Sequence, residues 1–147
     1  MQIADLKAKL GETIGTSAWF TLDQSRIDHF ADTTEDHQFI HVDPEAARAT
    51  PFGGTIAHGF LTLAMLTPMM DSALEKPAVQ MSVNYGFNKV RFLSPVKSGK
   101  RVRGHFKLLE LEEKRPGQWQ QTVEVSVEIE GEDKPALLAE WIFMHFA

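Results

Sequence analysis

The chain has 147 residues, of which 43% are hydrophobic and 24% are charged, a length and composition that indicate one folded domain with a sizeable core. It has no cysteine, which excludes a disulfide framework, a thiol nucleophile and thiolate metal sites. The formal net charge of -5 argues against a general nucleic-acid binder.

The amino-terminal segment MQIADLKAKLGE contains acidic residues and no apolar run, so it does not look like a secretory signal. The longest apolar stretch, residues 56–70, is shorter than the roughly 20 residues that span a bilayer. We therefore expect a cytoplasmic protein with a single domain over residues 1–147.

The first third of the chain predicts short elements and one long connection. Residues 14–20 are typical of a strand, and Thr21 with Gln24 predicts a capping box for a helix over residues 23–32. Residues 33–55 form a long connection with several turn signals, in which the run PEAARA predicts one helical turn. Connections of this length in a compact domain are often functional.

Residues 56–70 predict the central helix of the fold. Apolar residues cover every face of this segment, which favours a helix that is buried on all sides. Pro68 should kink it or mark its last turns. The segment that follows, residues 71–77, is polar and predicts the end of the helix.

Four strands should follow in an antiparallel meander. Apolar and polar residues alternate from Met81, with a slip of phase beside Gly86 that predicts a bulge, and they alternate again from Thr122 to Glu130. Residues 102–111 and 137–146 complete the set. The pattern predicts an α+β fold in which a sheet of about five strands wraps around one long buried helix.

A basic segment lies within the predicted sheet. Residues 89–103 hold six basic side chains and no acidic one, although the chain as a whole is acidic. Such a segment could attract a phosphate-bearing ligand. It could also be a charged strand edge that resists aggregation, and the segment taken alone favours this second interpretation.

Titratable groups are concentrated at residues 30–47, FADTTEDHQFIHVDPEAA, next to apolar side chains. A carboxylate and an imidazole on a packed loop are the usual parts of general acid–base catalysis, and turn capping is the alternative. His37 and His41 have the spacing of a helical zinc pair, but Gln38 stands where a zinc protease has glutamate. No G-x-S-x-G nucleophile elbow occurs.

The dipeptide His58-Gly59 lies near the start of the predicted central helix. The first N–H groups of a helix lack intrahelical acceptors, and glycine lets a substrate carbonyl approach the backbone. Such groups form oxyanion holes. A glycine selected for close packing is the alternative.

Three blocks in order resemble the MaoC-like dehydratases and R-specific enoyl-CoA hydratases, most closely the nodulation-protein-N-like branch. Residues 30–47 resemble the hydratase signature, an aromatic residue and a spacer followed by G-D-x-N-P-L-H and a small-residue helix. PFGGTIAHGFLTLAML resembles the second block and YGFNKVRFLSPVKSGKRVRG the third. The departures are Glu35 for glycine, Gln38 for asparagine, and Phe39-Ile40 for Pro-Leu.

The resemblance implies a hotdog fold, a homodimer with its active site near the subunit interface, and no cofactor or metal, since a CoA thioester is the substrate. The implied reaction is reversible addition of water to trans-2-enoyl-CoA, giving (3R)-3-hydroxyacyl-CoA. A hotdog acyl-CoA thioesterase and a non-catalytic acyl-CoA-binding protein remain as alternatives. By position, the catalytic residues are Asp36 and His41, the oxyanion-hole residue is Gly59, and the expected substrate-binding residues are Gln38, His58, Arg91 and Lys100.

Overall fold

The computed structural model describes all 147 residues and contains six helices and six strands. The helices are α1 (Ile3–Lys7), α2 (Gln24–Thr34), α3 (Phe39–Val42), α4 (Pro44–Arg48), α5 (Gly59–Ala64) and α6 (Leu66–Ala73). The strands are β1 (Thr13–Thr16), β2 (Phe20–Leu22), β3 (Met81–Phe92), β4 (Lys100–Arg115), β5 (Gln118–Ile129) and β6 (Leu137–Phe146).

All six strands form one antiparallel sheet in the order β1-β4-β5-β6-β3, and β2 pairs with β4 beside β1. The wrapped-helix α+β architecture predicted from the sequence is confirmed, with six strands instead of about five. The extra strand arises because the predicted strand 14–20 is split. The Ser17 N–H donates to the carbonyl of Gly104, while the Ser17 hydroxyl accepts from the Gly104 N–H, each at 2.8 Å. This exchange interrupts the regular ladder before β2 begins.

The central helix is confirmed, but it begins at Gly59 and consists of α5 and α6 joined at Met65. Ile56 and Ala57 instead extend the chain as a bridge to the segment before β4, with the Ala57 N–H donating to the Val96 carbonyl at 2.8 Å. The break at Met65 agrees with the interruption expected from Pro68, which cannot donate to the carbonyl four residues earlier.

The expectation that this helix is buried on every side is wrong. The concave face of the sheet covers only one side, where Leu61, Leu66 and Met69 are buried. Phe60 on the other side is 69% exposed. Gly104 in β4 brings the sheet close to the helix, since a Cβ there would lie 3.3 Å from the Sδ of Met69.

The core lies between α6 and the middle strands. The alternation in β5 is confirmed, because every second residue is apolar and has no solvent exposure: Val123, Val125, Val127 and Ile129. At the amino end of α2, the predicted capping box is wrong. Asp23 is the cap and accepts from the Arg26 N–H at 2.8 Å, while Thr21 is held in β2. The helical turn at Pro44–Arg48 and the register shift beside Gly86 are both confirmed.

None of the helices combines the length and the apolar character needed to cross a bilayer.

Candidate active site

A largely apolar cavity of about 430 Å³ opens at the amino end of α5. Its wall combines the start of the central helix, the loop after β3 and one titratable side chain, His41. The cavity can therefore bury an apolar group beside an imidazole. The lining residues are His41, Phe52, Ile56, Ala57, Gly59, Phe60, Thr62, Phe92, Leu93, Ser94, Pro95, Val96, Ala136 and Leu137.

His41 lies in α3 and is held from two directions. Its Nδ1 is 2.7 Å from the carbonyl oxygen of Ile56, and a carbonyl can only accept, so Nδ1 carries the proton. Its own carbonyl accepts from the Gln24 side-chain amide at 2.7 Å, and the other end of that amide accepts from the Thr55 hydroxyl. In the neutral ring, Nε2 is then left as a free acceptor for a proton.

Asp36 follows α2 after a left-handed residue, Glu35, whose φ is 60°. The Asp36 N–H donates to the Ala31 carbonyl at 3.1 Å, which closes the helix end and fixes the start of the connection. The carboxylate is half exposed and is not part of the cavity wall. A carboxylate oxygen of Asp36 nonetheless lies within 4.8 Å of a ring nitrogen of His41. The fold therefore brings together the pair that the sequence singled out.

Gly59 is the first residue of α5 and lines the cavity that His41 also lines. Its N–H belongs to the first helical turn and has no intrahelical acceptor. Phe92 packs against the same residue, since a Cβ at Gly59 would lie 3.1 Å from two ring carbons of Phe92. A glycine is required here for the close approach of the Phe92 ring.

His58 does not line the cavity, in contrast to its predicted contact with substrate. It is only 3% exposed, because its ring lies between the rings of Phe30 and His41. The amino end of α5 turns the side chain of this residue inward, behind the site, while its neighbour Gly59 faces the cavity.

The other three predicted substrate-binding residues are exposed and lie outside the cavity wall: Gln38, Arg91 and Lys100. Arg91 directly precedes the cavity residue Phe92 in β3, and neighbouring residues of a strand point to opposite faces. Two other members of the basic segment are paired with acids of β5. Arg101 donates to Glu130, and this bond lowers the pKa of the Glu130 carboxyl; Arg103 acts likewise on Glu128.

Asp36, His41 and His58 are the group of side chains whose spacing could hold a metal ion, with one ligand atom of each within 4.8 Å of the others. The two imidazole rings are stacked with an interplanar angle of 23° and centroids 3.9 Å apart. Nitrogen lone pairs lie in the ring plane, so those of nearly parallel rings do not converge on one ion. This geometry disfavours a metal at the site.

Sequence reasoning missed the groups that hold His41. Gln24 and the Ile56 carbonyl come from segments 17 and 15 residues away along the chain. No local motif identifies a backbone carbonyl as an acceptor, and the sequence pattern predicts a capping-box role for Gln24. Phe92 carried a signal, since it belongs to the third resembling block, but its packing on Gly59 depends on the fold.

Comparison with known proteins gives one family. The family model described as MaoC like domain matches residues 5–132. Nodulation protein N of Rhizobium leguminosarum bv. viciae is 54% identical over 144 residues, covering 97% of this chain and 89% of that protein. The 3-hydroxyacyl-thioester dehydratase Z of Mycobacterium tuberculosis (strain ATCC 25618 / H37Rv) is 49% identical over 145 residues, covering 99% and 96%. The (R)-hydratase from A. caviae superposes with a TM-score of 0.74 at 22% identity, covering 90% and 95%, which shows the common hotdog fold.

Proposed function

Because this chain belongs to the MaoC-like dehydratase family and is a hydro-lyase, we propose that it adds water reversibly to trans-2-enoyl-CoA, giving (3R)-3-hydroxyacyl-CoA. The observation that supports this most strongly is the fixed tautomer of His41. Its Nδ1 is bonded to the Ile56 carbonyl, which leaves Nε2 free to accept a proton. One of the His41 ring nitrogens lies within 4.8 Å of a carboxylate oxygen of Asp36, and the ring lines a largely apolar cavity.

In the proposed reaction, Asp36 and His41 hold one water molecule. As the water oxygen bonds to C3 of the enoyl group, one of the pair removes its proton, and a proton is delivered to C2. Dehydration is the same path in reverse. A positioned acid or base contributes roughly 10²- to 10⁴-fold to such a step. No cofactor is needed, because the thioester itself makes the C2 proton exchangeable.

Gly59 has the electrostatic role in this proposal. When water adds at C3, negative charge develops on the thioester oxygen as an enolate forms. Gly59 is the first residue of α5 and lines the cavity, so its N–H is the proposed donor to that oxygen. Donors fixed in advance stabilise such charge without reorganisation during the reaction. The apolar wall, including Phe52, Val96 and Leu137, would receive the acyl chain.

We further propose that Arg91 and Lys100 attract the phosphates of CoA from outside the cavity. Both are exposed and neither makes a salt bridge with an acidic residue, unlike Arg101 and Arg103. Attraction of this kind is screened by salt, so KM for the CoA thioester should rise with ionic strength. A KM that is unchanged by both salt and Arg91→Gln would contradict the assignment.

A homodimer is also proposed, with β3 at the interface. β3 is an edge strand of 12 residues that pairs only with β6. It exposes Met81, Val83 and Tyr85, and natural edge strands rarely leave such residues uncovered. Phe92, half exposed at the end of the same strand, lies at the cavity, so the interface would adjoin the site.

Light scattering after gel filtration tests this assembly. The wild-type chain should have the mass of two copies, and Val83→Lys should reduce it to one. Glu12→Lys, on an exposed residue outside β3, is the control and should remain dimeric. A wild-type mass of 16.5 kDa, that of one chain, would exclude the dimer.

The reaction itself is tested by the loss of enoyl-thioester absorbance across a chain-length series of trans-2-enoyl-CoAs, with chiral analysis of the product. We expect turnover to the (3R)-alcohol. Release of free thiol from a saturated acyl-CoA would instead identify a thioesterase. Tight binding of acyl-CoA with no turnover of any chain length would identify a binding protein.

A further inference from the structure

We propose that His58 is a positioning residue that holds the acid–base pair and the oxyanion donor in one arrangement. This inference rests on the proposed hydratase function. It replaces the expected contact between His58 and substrate, which the burial of the side chain does not permit.

Three contacts fix the His58 ring. One face packs on Phe30 with ring centroids 4.9 Å apart, and the ring stacks on His41 at 3.9 Å. Its Nε2 is 3.0 Å from the carbonyl oxygen of Asp36, which can only accept, so Nε2 carries the proton. The remaining nitrogen, Nδ1, is buried without a hydrogen-bond partner. An imidazole with an unmet acceptor costs free energy, so its retention at this place calls for a gain elsewhere.

The gain that we infer is that His58 links three segments: the residue Asp36 after α2, His41 in α3, and the start of α5. Asp36 follows the left-handed residue Glu35 and precedes α3, and few bonds fix this connection. The carbonyl of Asp36 accepts one hydrogen bond from another segment, and the donor is His58. His41 is fixed in its plane by the Ile56 carbonyl, and the stacked His58 ring restricts its rotation out of that plane.

His58 is also the residue before Gly59, and it is the N-cap residue of α5. A movement of its backbone would shift the Gly59 N–H relative to the acid–base pair. One side chain thus sets the distance between the groups that act on C2 and C3 and the group that acts on the thioester oxygen. Misplacement by about 1 Å of groups that must align can cost about 10²-fold in rate.

Because His58 touches neither the cavity nor its contents, its loss should change kcat and leave KM nearly unchanged. His58→Ala removes both the stack and the hydrogen bond and should lower kcat by about 10²-fold. His58→Phe keeps a stacked ring, and His58→Gln keeps an N–H donor. Each should recover part of the lost kcat. A merely structural role would give losses of activity that follow the melting temperature.

His145→Gln is the matched control. His145 is also 3% exposed, and its ring nitrogens bond to Ser82 and Gln121 outside the candidate site. This variant removes a buried histidine of equal exposure and should keep kcat within about twofold of wild type. Melting temperatures of all variants establish that each is folded at the assay temperature.

Nitrogen-resolved NMR of the histidine rings provides a readout that does not need turnover. We expect His41 as the Nδ1–H tautomer and His58 as the Nε2–H tautomer in the wild type, and broadened or doubled His41 ring signals in His58→Ala. If wild type hydrates no enoyl-CoA, the proposed function fails while this measurement still decides the positioning role. Unchanged His41 signals in His58→Ala, or a kcat within about twofold of wild type in that variant, would overturn the inference.

Discussion

Replacement of Gly59 by alanine should separate catalysis from stability. The new methyl would lie 3.1 Å from the Phe92 ring, closer than ordinary contact, but Phe92 is half exposed and can move towards solvent. Alanine in a helical turn gains up to about 1 kcal/mol over glycine, which offsets the displacement. We therefore expect the free energy of unfolding to change by no more than about 1 kcal/mol.

The effect on the reaction should be much larger. The methyl would occupy the space through which a thioester oxygen reaches the Gly59 N–H, and loss of one oxyanion donor costs about 10²- to 10³-fold in kcat. The assay is hydration of the best enoyl-CoA of the series, measured beside a urea denaturation curve. Gly54→Ala is the control, since a Cβ at Gly54 meets no atom within 4 Å.

The double variant Gly59→Ala/Phe92→Ala separates the two consequences of the methyl. If the loss of kcat comes from blocked access to the N–H, removing the Phe92 ring should not restore it. Full recovery in the double variant would show that the displaced ring was responsible. A kcat for Gly59→Ala within about threefold of wild type would refute the oxyanion role.

Two further predictions concern stability. Glu35→Gly should raise the free energy of unfolding by about 0.5–1 kcal/mol in urea denaturation, because the left-handed backbone at φ 60° costs more for glutamate than glycine loses in chain entropy. A lower stability would show that the side chain has contacts that outweigh this strain. Burial lowers the pKa of His145 below its ordinary value of 6.5. Below about pH 6.5, the unfolded chain therefore binds a proton there that the folded chain does not, so stability should fall as pH falls, by at most about 1.4 kcal/mol per pH unit from this residue. His145→Gln should flatten the dependence between pH 7.5 and 5.5, and an equal slope in both proteins would contradict it.

Local pattern was enough to predict the elements whose pattern reflects one-sided burial. The alternation of β5 between Thr122 and Glu130 is such a pattern, and the strand was predicted correctly. The helix with Pro68 is apolar on every face, so its position was predicted but its burial on one side only was not. The split of the first strand was not predictable, because Ser17 exchanges hydrogen bonds with Gly104, which is 87 residues away. The exposure of Phe60 was missed for a related reason, since composition does not tell which face of a helix the sheet leaves open.

The candidate site, like the fold, was predicted from the sequence only in part. The spacing and the family resemblance singled out Asp36, His41 and Gly59. In the structure His41 and Gly59 line the cavity, and a carboxylate oxygen of Asp36 lies within 4.8 Å of a His41 ring nitrogen. His58 was expected to contact substrate, but its side chain is only 3% exposed and lies outside the cavity wall. The alternation of side chains along β3 puts Arg91 on the face away from the cavity. The sequence did not predict this face, because the register shifts twice between Asn84 and Lys89.

The most direct test is the hydration rate of Asp36→Asn and His41→Ala beside a matched pair of controls, Asp32→Asn and His37→Ala. Asp32 and His37 are exposed, lie 2.8 Å apart, and each precedes its counterpart by four residues, so they match the side-chain types and not the position. We predict that each site variant loses roughly 10²- to 10⁴-fold in kcat while remaining folded, and that each control stays near wild type. Near-normal hydration by both site variants, or equal losses in the controls, would contradict the assignment of Asp36 and His41 as the acid–base pair.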